Sequence, residues 1–190
     1  MKEKIIERIS ESIAAKELLK QKAEDIEKAA NMIIECYKNK KRLYTCGNGG
    51  STCDAMHFAE ELVARFKMER PALPAQSLSD SSTITCWTND YDFSTVFSRQ
   101  IEAYGVEGDI LIAISTSGNS ENILKAAEAA KSKGMKVIGF SGKDGGKLNG
   151  ASDLNLIVPS DETARIQESH ITIIHILCEL VENSLFGDNQ

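Results

Sequence analysis

Proline is scarce in this chain: Pro71, Pro74 and Pro159 are the only three among 190 residues, and no Pro-rich or low-complexity stretch divides them. With no linker to mark a boundary, one domain spanning residues 1–190 is expected. Cysteine offers no framework either. Cys36, Cys46, Cys53, Cys86 and Cys178 are odd in number, scattered and without a C-x-x-C pair, which excludes a disulfide scaffold and a Cys-rich zinc module. A chain of this length buries a core without such staples. No apolar run approaches the roughly 18 residues of a membrane span, and the opening MKEKIIERISES lacks the apolar segment of a signal peptide. A soluble, cytoplasmic protein without membrane contact is therefore expected. Positive charge is in deficit, 22 Lys+Arg against 28 Asp+Glu for a net charge of −6, and it forms no basic block. Nucleic acid, whose binding draws on phosphate neutralisation, is not an expected partner.

What is present begins with helical spacing. Ile5, Ile9 and Ile13 lead to Leu18 and Leu19, and after a polar stretch Ile26, Ala30, Ile33 and Tyr37 repeat the pattern. Two amphipathic helices over residues 1–40 are expected, one packing on the rest of the domain and the other offering its face to a second subunit. From Arg42 onward short apolar runs end in Gly, Ser or Asn clusters and lead into helices: LYTC before GNGGS, ILIAI before STSGNS, and KVIGFSG before KDGG. That alternation indicates an α/β fold with a parallel sheet. Pro74 to Leu78 and Leu154 to Val158 are weaker strand candidates, bringing the count to about five. Asn119 to Lys133 and Thr163 to Leu185 read as helices.

Two of the loops suit an anion. Ser115-Thr116-Ser117-Gly118-Asn119-Ser120 joins an apolar strand to a helix, so hydroxyls and free N–H groups converge at a positive helix end. The commoner use of a Ser or Asn there is capping, by Ser117 or Asn119, but four hydroxyls in six positions exceed what a cap needs. Cys46-Gly47-Asn48-Gly49-Gly50-Ser51 repeats the strand-to-helix turn earlier in the chain. It lacks the third glycine of a dinucleotide fingerprint, Thr52 standing in its place, and it lacks the lysine of a nucleotide-binding P-loop.

Beyond the Gly-rich loop, His57 and Glu61 are four apart and share a helix face, which suits metal ligation or proton transfer as well as an ordinary ion pair. The apolar final helix carries Gln167, His170 and His175, polar groups that need partners when buried. Gln167 and His175 are separated by about 12 Å along an ideal helix and cannot both reach one metal from a straight helix. A bent helix start or two different chains would reconcile them, and the second is the expectation. His170, about 140° around the helix from His175, is read as structural.

These segments resemble the phosphoheptose isomerases of the sugar isomerase (SIS) domain superfamily. The resemblance is carried by C-G-N-G-G-S at Cys46–Ser51, D-A-M-H-F-A-E-E-L at Asp54–Leu62, Asn89-Asp90, G-D at Gly108–Asp109, I-S-T-S-G-N-S at Ile114–Ser120, G-K-D-G-G at Gly142–Gly146 and R-I-Q-E at Arg165–Glu168. It implies a flavodoxin-like, doubly wound five-stranded parallel sheet, a homotetramer with sites at subunit interfaces, and one Zn²⁺ per site. Carried over by position, Ser115, Thr116, Ser117 and Ser120 hold a sugar phosphate's phosphate, while Asn48, Gly49, Gly50, Ser51, Asn89 and Asp90 line the sugar. His57, Glu61, Gln167 and His175 match the metal ligands. Gln167 and Glu61 also contact substrate, and Glu61 with His175 matches the acid/base pair. Thr52 stands where some relatives have His, and Ala164 where some have a substrate-contacting Asp. The implied reaction is a ketose-to-aldose isomerisation of D-sedoheptulose 7-phosphate through a cis-enediol, opening nucleotide-heptose synthesis for lipopolysaccharide or capsule. Noncatalytic relatives that bind the replication initiator protein share the A-R-I-Q-E and L-C-E-L stretches but lack the counterparts of Glu61 and His175, both present here. A sugar-phosphate-sensing regulator is disfavoured, since the first 40 residues hold no basic recognition helix. The phosphate loop does not read chain length and so leaves other ketose phosphates open.

Overall fold

In a computed structural model, which describes residues 1–187, the chain opens with helices α1 (Lys2–Leu19) and α2 (Ala23–Lys38), joined by a short 3₁₀ turn. There follow β1 (Leu43–Gly47), α3 (Gly50–Val63), β2 (Ala75–Ser77), α4 (Ser81–Asp90) and α5 (Val96–Tyr104). The second half comprises β3 (Ile110–Ile114), α6 (Glu121–Ser132), β4 (Lys136–Gly142), a single turn α7 (Leu148–Ala151), β5 (Leu154–Val158) and α8 (Thr163–Phe186). All five strands are parallel and ordered β2-β1-β3-β4-β5. This is the flavodoxin-like doubly wound arrangement, with its switch point between β1 and β3.

Strand alternation divides the core in two. Ile110, Ile112 and Ile114 of β3 join Leu43, Ile138, Phe140, Leu156 and Val158 on the face covered by α2, α3 and α8. Leu111 and Ala113 join Tyr44, Cys46 and Val137 on the face covered by α5 and α6. No helix among the described residues is long and apolar enough to cross a membrane.

The expected apolar set of α2 is buried, Ile26, Ala30, Ile33 and Tyr37 alike. By contrast α1 buries only Ala15 and Leu19, leaving Ile5, Ile9 and Ile13 at 55%, 56% and 58% exposure. One helix serves the core and the other keeps an apolar stripe outward, and Arg165 ties α1 to α8 by donating to the Arg8 carbonyl at 2.7 Å.

Some boundaries differ from expectation. The helix placed at Asn119–Lys133 begins at Glu121, because Asn119 is spent on the loop, donating to the Ser117 carbonyl and accepting from Lys147 N. The strand expected at Pro74–Leu78 contracts to Ala75–Ser77, an edge with one neighbour. Helix α4 was not anticipated: SSTITCWTND is rich in poor helix formers, and its start depends on Asp80, whose carboxylate caps Thr83 N.

Candidate functional site

Pairing of Gly47 with Ile114 brings the ends of β1 and β3 level, so the Gly-rich loop and the hydroxyl loop lie side by side at the carboxyl edge of the sheet. This is where ligands gather in such sheets. A reciprocal amide pair joins the loops: Asn48 Nδ2 donates to Asn122 Oδ1 at 2.9 Å and Asn122 Nδ2 returns a bond to Asn48 Oδ1 at 2.8 Å. Asn122, in the first turn of α6, was missed by sequence reasoning. Its signal was an Asn two residues beyond the hydroxyl loop. Asn48 and Ser120 line a cavity of about 420 Å³ together with Asp92, Phe93, Ser94, Glu121 and Asn122. A larger cavity of about 680 Å³, walled by Asn31, Cys36, Lys41 and Lys136, opens at the opposite, amino edge of the strands, away from both loops.

Capping does not explain the hydroxyls. Ser120 occupies the N-cap of α6, yet its side chain makes no capping bond and instead accepts from Ser115 Oγ at 3.0 Å. Ser117 Oγ accepts from Asn119 N, and Thr116 is half-buried. The first amides of α6 therefore retain their capacity to bind an anion. Gly118 (φ +64°) is required here, since a Cβ would fall 2.0 Å from the Gly145 carbonyl oxygen. In the neighbouring loop Gly49 (φ +54°) turns the chain into α3, Ser51 is buried, and Thr52 Oγ1 donates to the Gly47 carbonyl at 2.6 Å. Asn89 and Asp90 end α4 on the exposed side, Asn89 Nδ2 donating to Asp90 Oδ1 at 2.8 Å, and Asn89 borders a groove that shares Phe93 with the cavity at Asn48.

Helices α3 and α8 pack side by side in the same direction. At their amino ends Gln167 lies over Gly50, where a Cβ would come 2.5 Å from Gln167 Nε2. Two turns on, His57, Glu61 and His175 converge, with ligand atoms all within 4.8 Å of one another. His57 Nε2 is 3.1 Å from Glu61 Oε1 and 3.5 Å from His175 Nε2. Ligands held tetrahedrally at about 2.0–2.1 Å from zinc stand about 3.3 Å apart, so two imidazoles and a carboxylate at these spacings fit that ion. The ring of Phe66 stacks on His175 with centroids 5.5 Å apart.

Within one chain, then, three of the four expected ligands meet. Gln167 is set back by about 12 Å of helical rise along α8, which runs unbroken from Thr163, and its side chain lies over Gly50, two turns before His57 on α3. Asp54, one turn before His57, was not singled out from the sequence. Burial pushes its carboxyl up to about 6, with His57 acting in the opposite direction, and its Oδ2 is buried without a partner. His170 is structural, as expected: it is fully buried, its Nε2 is 3.1 Å from the Ser141 carbonyl, and burial pushes it down to about 4.

A family model described as the SIS domain matches residues 8–142. The chain is 49% identical to the phosphoheptose isomerase of Shewanella denitrificans, each covered over its full length. To that of Fusobacterium nucleatum it is 50% identical, over 89% of this chain and 87% of the relative. A solved phosphoheptose isomerase from Francisella tularensis superposes with a TM-score of 0.92 at 43% identity, covering 95% of this chain and 97% of that one.

Proposed function

The chain belongs to the SIS-domain family and, within it, to the phosphoheptose isomerases, and from that membership we propose that it converts D-sedoheptulose 7-phosphate to D-glycero-D-manno-heptose 7-phosphate. The observation that carries this reading is the convergence of His57, Glu61 and His175 two turns along the helix that the Gly-rich loop opens. Phosphate sits on Ser115, Thr116, Ser117, Ser120 and the first amides of α6, where the helix dipole favours a dianion. Asn48, Gly49, Gly50, Ser51, Asn89 and Asp90 line the sugar, and Gln167 addresses it across Gly50. Fixing the phosphate end supplies remote binding energy that places C1 and C2 against the reacting groups.

Glu61 takes the proton from C1 and returns it to C2, while His175 moves a proton between O1 and O2 as the cis-enediol forms and collapses. With Oε1 of Glu61 facing His57, Oε2 is the oxygen for this transfer. His57, Glu61 and His175 would hold Zn²⁺, which when bound would supply a Lewis acid for negative charge developing on the substrate oxygens. Gln167 of an adjacent subunit in a homotetramer would complete that ligand set. The outward stripe of Ile5, Ile9 and Ile13 supports such an assembly. The product feeds nucleotide-heptose synthesis for surface polysaccharide in the cytoplasm.

The test is NMR of purified protein with sedoheptulose 7-phosphate, zinc-loaded and chelated samples in parallel. Zinc-dependent appearance of the manno-heptose phosphate is expected. No conversion by zinc-loaded protein refutes the reading, and binding of the replication initiator in that case would favour a scaffold.

A further inference from the structure

Arg70 and Glu182 form an ion pair whose side chains are each 1% exposed, Nε to Oε1 at 2.8 Å. Burying such a pair is costly, and apolar residues of similar volume often serve stability as well or better. Its partners show what it holds. Glu182 accepts from three successive main-chain amides, Phe66 N at 2.9 Å on Oε1, then Lys67 N at 2.9 Å and Met68 N at 3.2 Å on Oε2. Arg70 donates through Nη2 to the Glu61 carbonyl and through Nη1 to the Leu62 carbonyl, both at 2.8 Å. Those carbonyls belong to the last turn of α3, where no intrahelical donor follows and a cation is favoured.

Both ends of the metal-binding cluster hang on this pair. The main chain of Glu61 is held directly by the guanidinium. The amide of Phe66 is held by the carboxylate, and the Phe66 ring lies on His175 at an interplanar angle of 24°. A ring stacked there restricts rotation of the imidazole and keeps its Nε2 turned towards His57, 3.5 Å away. Glu182 follows His175 by two turns on nearly the same face of α8, so the anchor and the ligand share one rigid element. Partners that orient metal ligands in this way typically change affinity 10–100-fold when removed.

We propose that the buried Arg70–Glu182 pair, acting through Phe66, is a positioning device that preorganises Glu61 and His175 for metal binding and proton transfer. This rests on the assignment of those residues under the proposed function. The test measures zinc affinity by chelator competition, melting temperature, and kcat and KM separately, in wild type, F66L and the double variant R70M/E182L. The double variant removes both charges together, so that neither is left buried and unpaired, and with them the directed hydrogen bonds.

In F66L, zinc affinity falls 10-fold or more and kcat falls with it, while KM changes less than threefold and melting shifts by only a few degrees. In R70M/E182L, zinc affinity and kcat stay low even where the melting temperature returns to that of wild type. Wild-type zinc affinity in F66L overturns the proposal whether or not the double variant folds, and so does recovery of affinity together with melting temperature in R70M/E182L. A wild-type protein that binds zinc tightly but leaves sedoheptulose 7-phosphate unchanged refutes the assigned reaction instead, and the affinity comparison still decides the positioning role.

Discussion

Replacing Gly118 by alanine probes the hydroxyl loop at its tightest point. A positive φ imposes roughly 1–3 kcal/mol on a residue with a side chain. The added Cβ would also lie 2.0 Å from the Gly145 oxygen and 3.0 Å from Gly146 N, so main chain must retreat by about 1 Å to reach even the closest tolerable approach. Retreat is obstructed. Leu148 N donates to the Gly118 carbonyl at 2.9 Å and Lys147 N to Asn119 Oδ1 at 3.1 Å, and both bonds stretch when the segment moves. At about 1 kcal/mol each, they bring the expected destabilisation to about 3–5 kcal/mol, or roughly 10 °C in melting temperature for a chain of this size. Gly49→Ala is the internal control: its φ is also positive, but nothing lies within 4 Å of the added Cβ, so backbone strain acts alone. Thermal melts with and without inorganic phosphate, together with initial rates, make the measurement. Gly118→Ala should melt well below Gly49→Ala, lose the stabilisation by phosphate, and raise KM at least about tenfold. Equal melting of the two variants, with KM within about twofold of wild type, would refute the argument that close packing against Gly145 shapes the anion site.

Glu61→Gln keeps the shape of the side chain and removes the base, so turnover should fall by about 10²-fold or more while calorimetry still detects sugar-phosphate binding; full activity would remove Glu61 from the proton transfer. Asn122→Ala leaves Asn48 without its reciprocal partner and should cost about 1–3 kcal/mol by urea unfolding, with a raised KM; an unchanged unfolding midpoint would show that the two loops do not depend on each other. His170 titrates near ~6.5 when unfolded but at about 4 in the fold. As pH falls the unfolded state binds the proton first, so the contribution is complete above about pH 6.5 and lost progressively down to about pH 4, some 3 kcal/mol in all. Urea midpoints of wild type and His170→Leu between pH 7 and pH 4.5 measure this, and parallel pH slopes would contradict it.

Much of the fold was legible in the chain itself. Short, wholly apolar runs such as ILIAI, each closed by a glycine and hydroxyl cluster and followed by a 3.6-residue period, define parallel strands buried on both faces and their crossover helices. The same local logic placed Ser115–Ser120 and Cys46–Ser51 at helix starts and set His57 and Glu61 on one face, since residues four apart on a helix are neighbours wherever the helix lies. Helix α4 escaped because its ten residues have weak propensity and a start that depends on one Asp80 contact. Asn122 escaped because its partner, Asn48, lies 74 residues away.

What required the tertiary structure was every relation between segments distant in sequence. That His175 comes within 3.5 Å of His57, 118 positions earlier, follows from the parallel packing of α3 beside α8 on one face of the sheet, which no periodicity encodes. The roles of Arg70 and Glu182 were equally hidden. Read along the chain they are ordinary charged residues, and only the burial of both, with the amides of Phe66, Lys67 and Met68 turned towards the carboxylate, makes them a clamp. Local periods are dictated by the geometry of a single backbone, whereas long-range contacts depend on how the elements close over one another.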